Sequence, residues 1–162
     1  MTFPLFIVTG LSGSGKSTTT LELQKVMTDF NVYDMDLIVN NEDYQTACEN
    51  WLRIAYSNAL SGRATILFGN VPSPYNVEIC SHFPLFNPIH YLHLYCNEEV
   101  RTQRLTVRGG WKAEDIRIVN EVSEKLVNEA RTAVPSIPII DTSHIPVSKV
   151  VDQLKKWVMN NS

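Results

Sequence analysis

Residues 10–17, Gly-Leu-Ser-Gly-Ser-Gly-Lys-Ser, lie between the apolar run Leu5-Phe6-Ile7-Val8 and a helical pattern containing Leu21, Leu23 and Val26. This is a full G-x-x-x-x-G-K-[ST] spacing in the strand-then-helix setting it requires. The glycines let the backbone curl until its N–H groups point inward. The helix starting near Lys16 adds the positive end of its dipole. The pattern therefore implies a cradle for the phosphates of ATP, formed by Gly10, Ser12, Gly13, Ser14 and Gly15. Lys16 would reach the β- and γ-phosphates, the Ser17 hydroxyl would bind Mg²⁺, and Thr18 would bond the α-phosphate.

A bound triphosphate needs something to receive its phosphate. "YDMD" places Asp34 and Asp36 at the end of a second apolar segment. Alternate residues of an extended chain point the same way, so both carboxylates are expected to face one cleft. Two acids beside a nucleotide suggest two tasks. One holds a water of the Mg²⁺ shell; the other orients or deprotonates an acceptor hydroxyl. The competing possibility is that one acid caps the following turn. The third apolar segment ends "ILFGN", without the acid that often serves there as a magnesium partner. Asp34 is therefore the candidate for the metal and Asp36 for the acceptor, with the division between them left open.

"EEVRTQRLTVRGGW" supplies the cations. Arg101, Arg104 and Arg108 recur at three- and four-residue spacing and share a helix face, which then meets Gly109-Gly110 and Trp111. A solvated stripe paired with Glu98 and Glu99 would look the same. The Gly-Gly break instead suggests a hinge for a short lid at about 108–114. One lid arginine would offset charge at the γ-phosphate and another would stack on the base. Function is favoured for Arg104 and Arg108 and evenly balanced for Arg101.

The elements that must position these groups alternate along the chain. Strands are expected at 4–9, in "FNVYDMD", in "RATILFGN", in "PIHYLHLYC" and in "SIPIIDT". Helices are expected at 16–29, 43–61, 97–108, 114–132 and 146–159. "NVPSPYN" is expected to turn the chain into a further short helix ending near residue 81. Alternation of this kind implies parallel pairing with helices on both faces, an α/β three-layer sandwich. Ligands in such folds sit beyond the carboxyl ends of the strands, where the loop and the acids fall. No repeat or linker divides residues 1–162, so one domain is expected.

Composition narrows the partners. The 162 residues carry a formal net charge of -3, which argues against general nucleic-acid binding. No apolar run reaches the roughly 18 residues that span a membrane, and "MTFPLFIV" lacks a basic leader, so a cytoplasmic protein is expected. Cys48, Cys80 and Cys96 are far apart and odd in number, which suggests buried free thiols rather than a zinc site or disulfides. His90 and His93 lie three apart in a strand, on opposite faces, and are poorly placed to share a metal.

With these parts in order, the chain resembles the small P-loop kinases of the nucleoside-monophosphate-kinase-like fold, a group that includes shikimate, gluconate and antibiotic kinases. The likeness spans nearly the whole length. It rests on the phosphate loop, then on "YDMD", "FGNVP", "RLTVR" and "IIDTSHIPVSKVVDQL". The resemblance implies a five-stranded parallel sheet in the order 2-3-1-4-5, with an acceptor-side helical region at about 38–61. It also implies Arg104 against the adenine, Arg108 on phosphate, and Thr142 and Ser143 completing the adenine pocket.

The departures bear on the acceptor. Where adenylate-kinase-like chains read D-G-x-P-[RK], this chain has Phe68-Gly69-Asn70-Val71-Pro72-Ser73. The triple-glycine turn of shikimate-kinase-like chains is absent. Arg53 and Arg63 are the only cations between Lys25 and Arg101, whereas an anionic acceptor calls for several bidentate arginines. Tyr33, Tyr44, Trp51 and Tyr56 offer stacking or hydroxyl contacts unless they are simply core. The expectation is an ATP- and Mg²⁺-dependent phosphotransferase acting on a hydroxyl of a small molecule, such as a nucleoside, a sugar-like compound or an antibiotic. Two alternatives stand beside it: an ATPase switch working through a protein partner, and a polynucleotide-end kinase.

Overall fold

The computed structural model describes residues 1–70 and 75–162. Five strands form one parallel sheet: β1 (Phe3–Thr9), β2 (Asn31–Asp34), β3 (Thr65–Phe68), β4 (Phe86–Tyr95) and β5 (Ile139–Asp141). Their order is β2-β3-β1-β4-β5. The helices are α1 (Lys16–Val26), α2 (Tyr44–Leu60), α3 (Glu98–Arg108), α4 (Ala113–Thr132) and α5 (Val147–Asn160), with short 3₁₀ helices at Met35–Ile38 and Phe83–Leu85.

The central strand shows why the sheet is covered on both faces. Leu5, Phe6, Ile7 and Val8 are all fully buried, and alternate residues enter different cores. Phe6 and Val8 pack with Leu23 of α1 and with Val150, Leu154 and Val158 of α5. Leu5 and Ile7 pack with Ala47, Trp51 and Ala55 of α2. Burying each such side chain contributes roughly 1.5–3 kcal/mol. A polar residue at any of these positions would disrupt one layer whichever face it turned to.

The chain leaves β1 for β2 on one side and passes from β3 to β4 on the other. The exit of β1 is therefore flanked by both neighbouring strand ends, the crevice where open α/β sheets bind ligands. Gly69 N–H donates to the Val8 carbonyl at 2.9 Å, which ties the exit of β3 to that of β1.

The expected helix ending near residue 81 is not formed among the described residues. Part of its segment, "NVPSPYN", lies outside the described residues. From Tyr75 to His82 the backbone makes turns, and only Phe83–Leu85 is helical, as 3₁₀. Gln45 of α2 bonds both the Asn76 N–H (3.2 Å) and the Asn76 carbonyl (2.9 Å), and Ser81 N–H donates to Glu49 at 2.9 Å. Side chains of α2 thus take the backbone groups that a helix would have used internally. The three cysteines are free and buried, with Cys48 and Cys80 Sγ 3.5 Å apart. His90 stacks on Phe6, and His93 Nδ1 lies 2.8 Å from Thr9 Oγ1. No helix among the described residues is long and apolar enough to cross a membrane.

Candidate active site

The phosphate loop joins β1 to α1, and Gly15 at the start of α1 has φ of 89°. No side chain among the described residues caps this helix, so its first N–H groups remain directed at the loop's interior. Gly13, with φ of 84°, is held by three neighbours from behind. Its carbonyl accepts from Arg104 Nη1 at 2.9 Å and from Cys96 Sγ at 3.2 Å, and a Cβ placed there would meet Arg101 Cγ at 2.9 Å. Gly10 is equally confined, since its Cβ would fall 2.6 Å from Ser14 Oγ.

The three arginines separate into two kinds. Arg101 is buried and takes the structural part of the balance left open by its sequence spacing. It donates to the Ser12 carbonyl at 3.1 Å, the Cys96 carbonyl at 2.8 Å and Ser123 Oγ at 2.6 Å, bracing the loop against α4. Arg104 reaches the cleft edge while clamping two loops together. It donates to Gly13, to Thr142 Oγ1 at 3.1 Å and to the Thr142 carbonyl at 2.7 Å. Arg108 is exposed at the end of α3 and lines the same cleft. Gly109 and Gly110, both with φ of 79°, begin the four-residue connection to α4.

That cleft has a volume of about 250 Å³. Gly13, Ser14, Gly15 and Thr18 form one wall, Arg104, Arg108 and Thr142 another, and Ile145, Val147 and Val150 an apolar floor. Ser143 is placed differently. Its hydroxyl donates to Asp141 at 2.5 Å and accepts from Asn97 N–H at 2.8 Å, so it fixes the loop after β5 and does not line the cleft. Ile145 and Val147, absent from the sequence-based site, supply the surface a flat ring would need. Their signal was apolar residues just beyond the last strand.

On the opposite side of Lys16 stand the two acids. They converge, though not by strand alternation, because β2 ends at Asp34 and Asp36 lies in the 3₁₀ helix. Asp34 Oδ1 accepts from the Asp36 N–H at 3.0 Å, so Asp34 does cap this turn. Its other oxygen still accepts from Ser17 Oγ at 3.5 Å. One carboxylate performs both the capping and the cleft-facing roles. Asp36 Oδ2 lies 3.2 Å from Lys16 Nζ, and its Oδ1 accepts from Tyr75 Oη at 2.7 Å. Tyr75 was missed at the sequence level, where it stood only as part of a turn.

The two cations expected to line the acceptor half have other partners. Arg63 donates from Nε to Asn31 Oδ1 at 2.9 Å and from Nη2 to the Thr28 carbonyl at 2.7 Å, near the start of β2. Arg53 is exposed on α2, 3.7 Å from Glu49. Trp51 is core, its Nε1 donating to the Met35 carbonyl, and the partly buried Tyr33 packs on it at 4.8 Å. Tyr56 packs edge-on to Phe3 and beside His82.

Comparison with solved structures places this architecture. A sugar kinase from Janibacter sp. HTCC2649 superposes with a TM-score of 0.65 at 18% identity, covering 98% of this chain and 95% of the other. A gluconokinase from Sinorhizobium meliloti 1021 gives 0.58 at 17% identity over 100% and 99%. A shikimate kinase from Acinetobacter baumannii, in complex with shikimate, gives 0.56 at 15% identity over 99% and 96%. No protein-family model and no curated protein sequence matches the chain. The fold is that of the small P-loop kinases.

Proposed function

We propose that the protein is an ATP-dependent phosphotransferase that moves the γ-phosphate to a hydroxyl of a small, non-anionic molecule. The observation that carries this is the position of Asp36. Its carboxylate lies against the phosphate-loop lysine and is half exposed at the strand ends. A group so placed can meet an acceptor hydroxyl beside the transferring phosphate. The structural likeness to a sugar kinase, a gluconokinase and a shikimate kinase supports the class.

The geometry supports a division of labour. The loop amides and Lys16 hold the phosphates, and the cleft over Ile145, Val147 and Val150 takes the base beside Arg104 and Thr142. A volume near 250 Å³ lies just below the range of small-molecule sites, of order 300–1,000 Å³. It suits the base, with the phosphates along the open loop. Ser17 and Asp34 present neighbouring hard oxygens, which fit Mg²⁺ and would hold it. When bound, the metal supplies charge neutralisation at the β- and γ-oxygens. Asp36 orients the acceptor hydroxyl. Arg108 offsets charge from the end of α3 as a short lid at about 108–114 closes.

The surroundings of Asp36 support a non-anionic acceptor. Two carboxylates face that side, and Arg53 and Arg63 are bound elsewhere. An anionic acceptor would be repelled without a bidentate partner; nucleosides, neutral sugars and hydroxylated antibiotics would not. A screen of such acceptors with γ-labelled ATP tests this. Transfer to a neutral or cationic alcohol is expected. Hydrolysis without transfer, together with a protein partner that binds one nucleotide state, would establish the switch instead.

A further inference from the structure

We propose that Tyr75 is a positioning residue for phosphoryl transfer, aiming the Asp36 carboxylate at the acceptor hydroxyl; this rests on the acceptor role assigned to Asp36 above. Tyr75 is fully buried, its ring edge-on to Tyr44 at 5.6 Å within the core between the sheet and α2. Burying a phenol in such a place requires a partner for its hydroxyl. The partner is a half-exposed carboxylate at the mouth of the cleft rather than a core carbonyl.

A carboxylate on a short side chain rotates unless something holds it. Asp36 is held at both oxygens: Oδ1 by the Tyr75 hydroxyl at 2.7 Å and Oδ2 by Lys16 at 3.2 Å. The phenol is the firmer of the two. Its O–H···O⁻ distance is in the charge-assisted range, and its ring is fixed by packing, whereas Lys16 is committed to phosphates when nucleotide binds. A carboxylate has roughly four acceptor positions, so holding one at Oδ1 leaves Oδ2 free to receive an acceptor hydroxyl in a defined direction. Burial and the adjacent carboxylates keep the phenol protonated well above its ordinary range, so it serves as a donor throughout.

Tyr75 also links Asp36 to the sheet. Its N–H donates to the Asn70 carbonyl at 3.3 Å, and Asn70 follows Gly69 at the exit of β3. In a chain whose third strand ends without an acid, that strand still reaches the site through this tyrosine. An orientation error at a reacting group costs rate rather than nucleotide affinity, which separates this role from a purely structural one.

The test uses the full-length protein, Tyr75→Phe, Asp36→Asn and the double variant. Two quantities are measured: ATP·Mg²⁺ affinity by calorimetry, and turnover of γ-labelled ATP with water alone and with a defined mixture of adenosine, thymidine, glucose and kanamycin. Tyr75→Phe is expected to bind ATP·Mg²⁺ within about twofold of the parent while losing about tenfold in kcat. The double variant should be no slower than Asp36→Asn alone, the signature of two groups acting as one. Parental turnover in Tyr75→Phe, or losses that multiply in the double variant, would overturn the proposal while leaving the kinase reading intact. Parental turnover in Asp36→Asn, or a parent that turns over neither water nor any acceptor, would remove the reading beneath it.

Discussion

Lys16 Nζ and Asp36 Oδ2 lie 3.2 Å apart, so the residue expected to hold the donor's phosphates touches the residue expected to orient the acceptor. The lysine side chain is mostly covered while the aspartate is half exposed, which matches an inner donor site and an outer acceptor site. Removing each should therefore fail differently. Lys16→Ala is expected to abolish transfer, with a loss of at least about 10²–10³ from the missing transition-state charge. Asp36→Asn is expected to bind ATP·Mg²⁺ normally and to lose about 10²–10⁴ in acceptor turnover. Calorimetry with ATP and steady-state kinetics distinguish them. Normal acceptor kinetics in Asp36→Asn would end its assigned role.

Arg104 joins the phosphate loop to the loop after β5 through Gly13 and Thr142. Its planar fork makes these bonds in fixed directions, and an ammonium cannot reproduce them. Arg104→Ala and Arg104→Lys should both raise the KM for ATP, by about tenfold or more, because two or three hydrogen bonds are lost. Acceptor KM should hardly move. A lysine variant with parental ATP affinity would show that charge alone suffices.

The phosphate-loop side of the candidate site was legible in the sequence because its determinants are local. The loop's glycines, lysine and serine are contiguous, and the strand and helix around them announce themselves by composition. The sheet order followed from the resemblance that this loop anchors. The acceptor half was less legible because its contacts cross the fold. Tyr75 meets Asp36 across 39 residues, and nothing in "SPYN" signals the partner. Arg63 looked like a cation available to an acceptor, but it ties down the segment leading into β2. Arg101 and Arg104 have the same spacing pattern on one helix, and only the burial of the first separates bracing from lining. The resemblance implied Ser143 together with Thr142 in a base pocket, yet the Asp141 turn holds the Ser143 hydroxyl.

Gly69 allows the exit of β3 to approach the turn that carries Asp36. A Cβ there would lie 2.5 Å from Met35 Sδ and 2.9 Å from its Cβ and Cγ. Met35 is fully buried and its carbonyl is held by Trp51, so it has little room to yield. Gly69→Ala should cost about 1–3 kcal/mol of stability by overpacking. Because Met35 adjoins Asp36, acceptor turnover should fall while ATP affinity stays. Pairing it with Met35→Ala should cost less than the two single losses added together. Denaturant unfolding and the two kinetic assays report these separately.

His93 should make stability fall in mild acid. Burial, with the Arg101 guanidinium nearby, lowers its pKa from 6.5 to about 4. Above pH 6.5 the imidazole is neutral in both folded and unfolded chains and contributes no pH dependence. Between 6.5 and 4 the unfolded chain takes up a proton that the folded chain refuses. The unfolded state then binds more protons, so folding stability drops as pH falls and levels off below 4. The loss accumulates to about 3 kcal/mol at most. A His93→Gln variant keeps a polar group near Thr9 but cannot protonate, so its urea midpoint should depend less on pH across this window. Parallel pH profiles for the two proteins would show that other groups carry the acid sensitivity.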